Sequence, residues 1–368
     1  MAGMVLVTNA GSWSYVYWPL KHADWNGLTP TDMIFPSFLF LVGISMTFSF
    51  IKRRNQGETP AKTCIHIVQR SVLLIFIGLF LNCFDLFQLP DLRIPGVLQR
   101  IGLCYLLGGL LYLFISGCRP VRRMGMLITV VVLLPAVYWM LQTLMPVPGY
   151  GAGRLDPVGT LSAYLDRAVF TTKHLWHWGG PGQVWDPEGL LTTLPAMANL
   201  LLGILAGEWL RSPSLKANSA SRKVVGMVVL GVALMLIAIA LNPLIPINKK
   251  IWTPSFVLFS GGFSFLALAL LHWLIDLKGW RKGLAPSLIF GSNAILGFAL
   301  ANILNPMIGL VKFHDSTGSL MTIPGVIFQA FATFLDPWSA SLVYALLFTL
   351  LIGVILWAFY HKRIFIKL

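Results

Sequence analysis

The chain has 368 residues, of which 57% are hydrophobic and only 11% charged, with 27 Lys and Arg against 13 Asp and Glu. An ordinary soluble domain carries about 25% charged residues, so these proportions exclude one: there is too little polar surface to face water. The basic excess does not make the chain a nucleic-acid binder either, because the cations sit at alternate ends of apolar stretches and are not gathered into one patch.

The apolar residues come in blocks of about 20, the length that carries a helix across the hydrocarbon core. They lack the strict alternation of an outer-membrane strand. The expectation is an all-α, polytopic integral membrane helical bundle of about ten transmembrane helices, forming one membrane domain over residues 1–368. In chain order the predicted spans are 1–13, 30–51, 66–84, 96–116, 124–145, 187–209, 223–242, 252–273, 284–304 and 339–360. A shorter apolar stretch, 322–335, is predicted to lie in the interface. The first block, Met1 to about Trp13, is short for a span, which predicts that the chain begins inside helix 1.

Of the 27 Lys and Arg, 18 fall on one set of loops and helix ends, including Arg53, Arg54, Arg122 and Arg123. By the positive-inside rule that set is cytoplasmic, which places the C-terminus inside and residues 14–29 and 146–186 outside. The 146–186 segment, rich in glycine and tryptophan, reads as a lid over a membrane cavity. The four cysteines, Cys64, Cys83, Cys104 and Cys118, have no metal-site or disulfide spacing and read as packing residues.

Ionisable groups in or at the edge of apolar helices are costly, so each is a functional candidate. Three clusters fall near the outer face. The first runs from Lys21 and His22 through Trp25 and Asn26 to Thr29, Pro30 and Asp32. His22 is suited to proton transfer near neutral pH, whereas Thr29, Pro30 and Asp32 also follow the order of a helix start: cap, first-turn proline, acid at N3. The second runs from Arg93 to Arg100, whose spacing of seven puts both guanidiniums on nearly one helical face, for a substrate or a structural pair. The third is Trp185, Asp186, Pro187, Glu188: capping accounts for Asp186, while Glu188 remains free to orient an imidazole or meet an amine. Asn9 and Asn293 are polar residues inside apolar blocks, also suited to hydrogen bonds between helices.

The run Lys21-His22-Ala23-Asp24-Trp25-Asn26-Gly27-Leu28-Thr29, continued by Asp32, Phe35 and Pro36, resembles the signature of the heparan-α-glucosaminide N-acetyltransferase family. So do Arg93 to Arg100, the Asp186-Pro187-Glu188-Gly189 turn, and Gly291-Ser292-Asn293-Ala294-Ile295-Leu296. The resemblance implies a transmembrane acetyltransferase that takes the acetyl group of acetyl-CoA from the cytoplasm and passes it to the amine of an amino sugar on the far side. His22 matches the family's active-site histidine and Asn9 the asparagine upstream of it.

On this reading His22, Asp32 and Asn9 are catalytic, and Trp25, Asn26, Arg93, Arg100, Asp186, Glu188 and Asn293 meet the acceptor. Arg53, Arg54, Arg122 and Arg123 meet the phosphates of acetyl-CoA, and no metal is expected. His22 acts either as general base or as a transient acyl carrier. The expected partners are the amino-sugar acceptor, the bilayer and a second copy of the chain, with no nucleic acid. A compact basic membrane domain of this kind looks like a relative from a bacterial inner membrane. The other reading is a transporter or flippase whose polar cluster binds a sugar or a lipid-linked sugar.

Overall fold

The computed structural model describes residues 1–86, 89–212, 219–314 and 320–366, and these are almost entirely helical. Thirteen helices follow in order: α1 (Ala2–Thr8), α2 (Ile34–Asn55), α3 (Pro60–Leu86), α4 (Val97–Ile115), α5 (Pro120–Leu144), α6 (Leu161–Phe170), α7 (Thr193–Arg211), α8 (Ser219–Leu241), α9 (Pro254–Leu271), α10 (Ala285–Ser292), α11 (Ala294–Leu310), α12 (Ile323–Ala332) and α13 (Pro337–His361). A short antiparallel pair, β1 (Lys312–His314) and β2 (Leu320–Thr322), is the one sheet among the described residues.

Eight helices among the described residues are long and apolar enough to cross a bilayer, or nine if α10 and α11 are one span bent by 79°. The chain is therefore an all-α polytopic membrane protein, with fewer full spans than the ten predicted. Besides that bent pair, where one span was predicted over 284–304, the difference lies at the start. The first block yields only the seven-residue α1, because the chain leaves the helix at Asn9 and lies against α13, where Gly11 N–H bonds to Ser341 C=O at 3.4 Å and Ser12 N–H to Ser341 Oγ at 3.0 Å. The predicted interfacial stretch is the ten-residue α12.

Two helix pairs form the tightest contacts, α2 with α7 and α8 with α9. In lipid, helices gain nothing from burying apolar surface against each other, so close backbone approach across small residues supplies the attraction. A Cβ on Gly203 would stand 1.9 Å from the Phe40 carbonyl oxygen and one on Gly43 2.0 Å from the Leu200 oxygen, so α2 and α7 touch backbone to backbone. Gly207, four residues after Gly203, admits Thr47 in the same way. This spine matters for function because α2 begins just after Asp32 and α7 begins just after Glu188, so the two carboxylates are fixed relative to each other.

Candidate functional site

The residues between α1 and α2 turn through Lys21 to Gly27 and enter a tight turn, Pro30–Met33, that leads into α2. Thr29 caps that turn reciprocally with Asp32: the Thr29 N–H and hydroxyl both bond to Asp32 Oδ2 at 3.0 Å, and Ala23 N–H reaches the same oxygen at 3.2 Å. The other oxygen, Oδ1, lies 2.7 Å from Nδ1 of His22. One oxygen of the carboxylate therefore serves the helix start and the other the imidazole. Asp32 is buried, while the His22 side chain is 45% exposed, so the ring has one edge anchored and the other open. With the Nδ1 proton directed at Asp32, Nε2 carries the lone pair, the arrangement of a general base.

Lys249, which sequence reasoning did not single out, completes this corner. Its Nζ lies 3.0 Å from His22 Nδ1, 3.4 Å from Nε2 and 3.5 Å from Asp32 Oδ1, and its side chain is 13% exposed. The 242–253 segment that presents it is seated on the His22 loop by Gly27 N–H to Ile247 C=O at 2.8 Å and by Asn248 Nδ2 to Asn26 Oδ1 at 3.0 Å. Partial burial, then the Lys249 ammonium, hold the His22 pKa below the ordinary histidine value, against the pull of Asp32. Burial likewise lowers the pKa of Lys249 and of Lys250. Lys250 sits over the Trp185 ring at 5.0 Å, and Trp185 meets Trp25 edge to face at 5.2 Å. Trp25 in turn donates to the Leu155 carbonyl at 2.8 Å, so the 146–186 segment packs on the His22 loop.

The second and third clusters meet each other. Arg93 grips Asp186 with two bonds, Nε to Oδ2 at 2.8 Å and Nη2 to Oδ1 at 2.7 Å, and reaches Glu188 Oε2 at 2.5 Å. A planar guanidinium on two carboxylates is a strong clamp, and it fixes the turn ahead of α7. That turn corrects the predicted span: Asp186 caps residues 187–189 by accepting Glu188 N–H at 2.8 Å, and the helix itself starts at Thr193 instead of 187.

Arg100 is fully buried and differs from Arg93. It bonds to the Gly189 carbonyl at 3.0 Å and to Thr192 Oγ1, and lies 5.0 Å from the Trp252 ring centre, but among the described residues no carboxylate pairs with it. Its Nε and Nη1 make no hydrogen bond, and it lines a cavity of about 140 Å³ with Gln99, Glu188 and Thr193. Asp166 on α6, also unread in the sequence, accepts Leu190 N–H at 2.9 Å, and burial pushes its carboxyl up to about 7. Trp252 is buried with a positive φ of 50°, a conformation that a bulky residue rarely adopts, and donates to Asn199 Oδ1 at 2.9 Å. The strain falls three residues from Lys249 and underlies Arg100, where a fixed backbone has a use.

Other predicted residues lie elsewhere. Asn9 is buried at the end of α1 with its amide bonded back to Val5 C=O at 2.7 Å and Thr8 Oγ1 at 3.0 Å, and no contact with His22 is found among the described residues. Asn293 sits at the break between α10 and α11 and holds the chain after α13, through Ile364 C=O at 3.0 Å and Ile366 N–H at 2.9 Å. That places it at the end of the bundle opposite His22. Also at that end, Arg53 is taken by Glu58 at 3.0 Å and Arg123 by Glu208 at 2.6 Å, whereas Arg54 and Arg122 are exposed.

The fold and this corner define a class: a polytopic membrane protein with an imidazole, carboxylate and ammonium gathered at one end of its helices. A domain family described as a domain of unknown function (DUF5009) matches residues 16–148. The heparan-alpha-glucosaminide N-acetyltransferase of Mus musculus is 30% identical over 332 residues, 80% of this chain and 50% of its own length, and that of Homo sapiens is 30% identical over 336 residues with the same coverage. The chain is similar to these two heparan-alpha-glucosaminide N-acetyltransferases, and it spans about half the length of the curated relatives it matches.

Proposed function

We propose that the chain is a transmembrane N-acetyltransferase that moves the acetyl group of acetyl-CoA, delivered from the Arg54 and Arg122 side, to the amine of an amino sugar at the His22 side. The observation that carries this reading is the 2.7 Å bond between His22 Nδ1 and a buried Asp32, which leaves Nε2 as an open, correctly prepared base on a homologue of named N-acetyltransferases.

An amine attacks a thioester only when neutral, and its nitrogen becomes acidic as the C–N bond forms. His22 Nε2 takes that proton and returns one to the departing thiolate, while Asp32 holds the ring in one tautomer and stabilises the imidazolium. Burial and Lys249 lower the His22 pKa, which favours the unprotonated ring that a base needs. Arg93 is committed to Asp186 and Glu188, so it shapes the acceptor wall, while Trp25 brings the loop onto the lid and Asn26 ties it to the 242–253 segment. The positive-inside count supports a cytoplasmic Arg54 and Arg122 side and a periplasmic or luminal His22 side. Arg54 and Arg122, exposed at that face, are the cations that meet the CoA phosphates. Direct transfer is preferred to an acetyl-imidazole because a base with its Nδ1 proton held by a carboxylate is prepared for proton transfer.

The test is purified protein with acetyl-CoA and glucosamine, following free thiol. His22→Ala loses activity by about 10² to 10⁴ fold. Undiminished turnover in that variant removes His22 from the chemistry, and movement of sugar with no thiol released makes the protein a transporter instead.

A further inference from the structure

Asp32 and His22 form a pair that many hydrolases and transferases would complete with oxyanion donors, and the third group at this corner is a cation. Lys249 comes from the 242–253 segment, more than two hundred residues away in the chain, and its partly buried ammonium stands against both ring nitrogens. An ammonium carries three N–H donors. One faces Asp32 Oδ1 at 3.5 Å, and in the tautomer that the Asp32 carboxylate favours, His22 Nδ1 points its proton at the same oxygen and offers Lys249 no lone pair. Even with Nε2 accepting a second at 3.4 Å, one donor is left over beside the nitrogen that takes the acceptor's proton.

We propose that Lys249 is a catalytic residue whose ammonium receives the carbonyl oxygen of the acetyl group as it becomes an oxyanion. The proposal rests on the reading of His22 as general base. The acceptor nitrogen must lie about 3 Å from Nε2 to lose its proton, and the carbonyl carbon it attacks is one bond further. As the C–N bond forms, the carbonyl electron pair moves to oxygen beside Nζ, and the amine proton moves to Nε2. The adduct then collapses, the C–S bond breaks, and the proton on Nε2 leaves with the CoA thiolate. The ammonium keeps its own protons throughout, so the balance is acetyl-CoA plus amine to amide plus CoA.

The same placement explains why a cation is tolerated beside a base. The groups that bear on His22 are Asp32 from the start of α2, and Lys249 and Lys250 from the 242–253 segment. The lysines oppose protonation of the free ring. The negative charge that develops on the acetyl oxygen in the transition state then offsets that opposition at the moment the ring takes a proton.

The experiment measures kcat against pH at saturating acetyl-CoA and glucosamine for wild type, Lys249→Gln and Lys249→Arg, with elution volume and melting temperature as folding controls. Lys249→Gln is expected to lose about 10² to 10³ in kcat with KM little changed, the size of a lost oxyanion donor. Its acid limb moves to higher pH, because the cation that resists His22 protonation is gone. Lys249→Arg recovers much of kcat and, with a guanidinium that keeps its proton, abolishes the alkaline limb that deprotonation of the low-pKa Lys249 gives the wild type. That last readout needs only the conservative variant, so it decides the matter even if Lys249→Gln fails to fold. A wild-type kcat in Lys249→Gln, or an alkaline limb unchanged in Lys249→Arg, overturns the role of Lys249. If His22→Ala is then still inactive the base reading survives, and if it is fully active both readings fall.

Discussion

Two clusters of buried charge lie at opposite ends of the bundle, and they use their groups differently. At the far end from His22, Glu208 on α7 accepts from Arg123 at 2.6 Å, from Arg211 at 3.0 Å and from the Tyr112 hydroxyl. Arg211 also reaches the Thr47 carbonyl at 3.2 Å, and Arg123 the Ser116 carbonyl at 3.1 Å. One carboxylate thus ties α2, α4, α5 and α7, and little of the network is open to solvent. At the near end Asp32 is equally buried, yet one of its oxygens serves an imidazole with an open edge and a lysine with a donor to spare. A closed network fixes helices; a network left open at one atom is fitted for chemistry.

The largest change comes from breaking the open cluster. Asp32→Asn keeps the shape of the side chain but removes the charge that selects the tautomer, and kcat is expected to fall by on the order of 10³. Because Asp32 also caps the turn into α2, a melting curve separates the two roles. Lost activity with a small drop in melting temperature is the expected result, and a collapse of the fold with normal activity in the surviving fraction counts against it.

Breaking the closed cluster has the opposite signature. Glu208→Gln leaves two largely buried guanidiniums without their carboxylate, at a cost of about 3 kcal/mol of stability. Thermal unfolding in detergent should register that loss, while the acid limb of the pH profile stays where the wild type has it. A moved acid limb would mean that the two ends are coupled through the helices.

Gly203→Ala tests the spine between them. Its Cβ would stand 1.9 Å from the Phe40 oxygen, so α2 and α7 must separate. Overpacking of this kind costs about 1 to 3 kcal/mol. It shifts Asp32 relative to Glu188 and lowers kcat as well as melting temperature; an unaffected kcat would show that the spine supports the fold alone.

The smallest effect belongs to Asp166, whose carboxyl is pushed up to about 7 by burial. Between the ordinary carboxylate range and about 7 the folded state holds a proton that the unfolded chain has released. Stability therefore falls as pH rises through that window and levels off above it. Asp166→Asn removes this slope, which melting temperatures measured at several pH values check; a slope that persists places its origin in another group.

Much of the near-end cluster was legible in the sequence. His22 and Asp32 lie within one short run, and the order Thr29, Pro30, Asp32 marks a helix start, so motif and local physics point to the same carboxylate. Arg93 with Asp186 and Glu188 was half legible, since charges at the edge of lipid must find partners, but which partners depends on tertiary packing. Lys249 was not legible, because nothing local ties it to His22. Its signal was weaker: two consecutive lysines, Lys249 and Lys250, on the face where the positive-inside rule leaves few. Asn293 misled because a motif position carries no information on which end of a broken helix it faces. The fold followed from the apolar blocks, but residues 1–13 form only the short α1. The Gly203 to Gly207 spacing held the α2 and α7 contact in plain view.

The central claim is that an acetyl group supplied at one face is joined to an amine at the other, and sided proteoliposomes test it most directly. With acetyl-CoA confined to the Arg54 and Arg122 face and glucosamine to the His22 face, thiol release and N-acetylglucosamine are predicted to appear together on opposite sides, and neither appears with His22→Ala. Equal turnover with both substrates on one face, or none in any arrangement, would contradict the account.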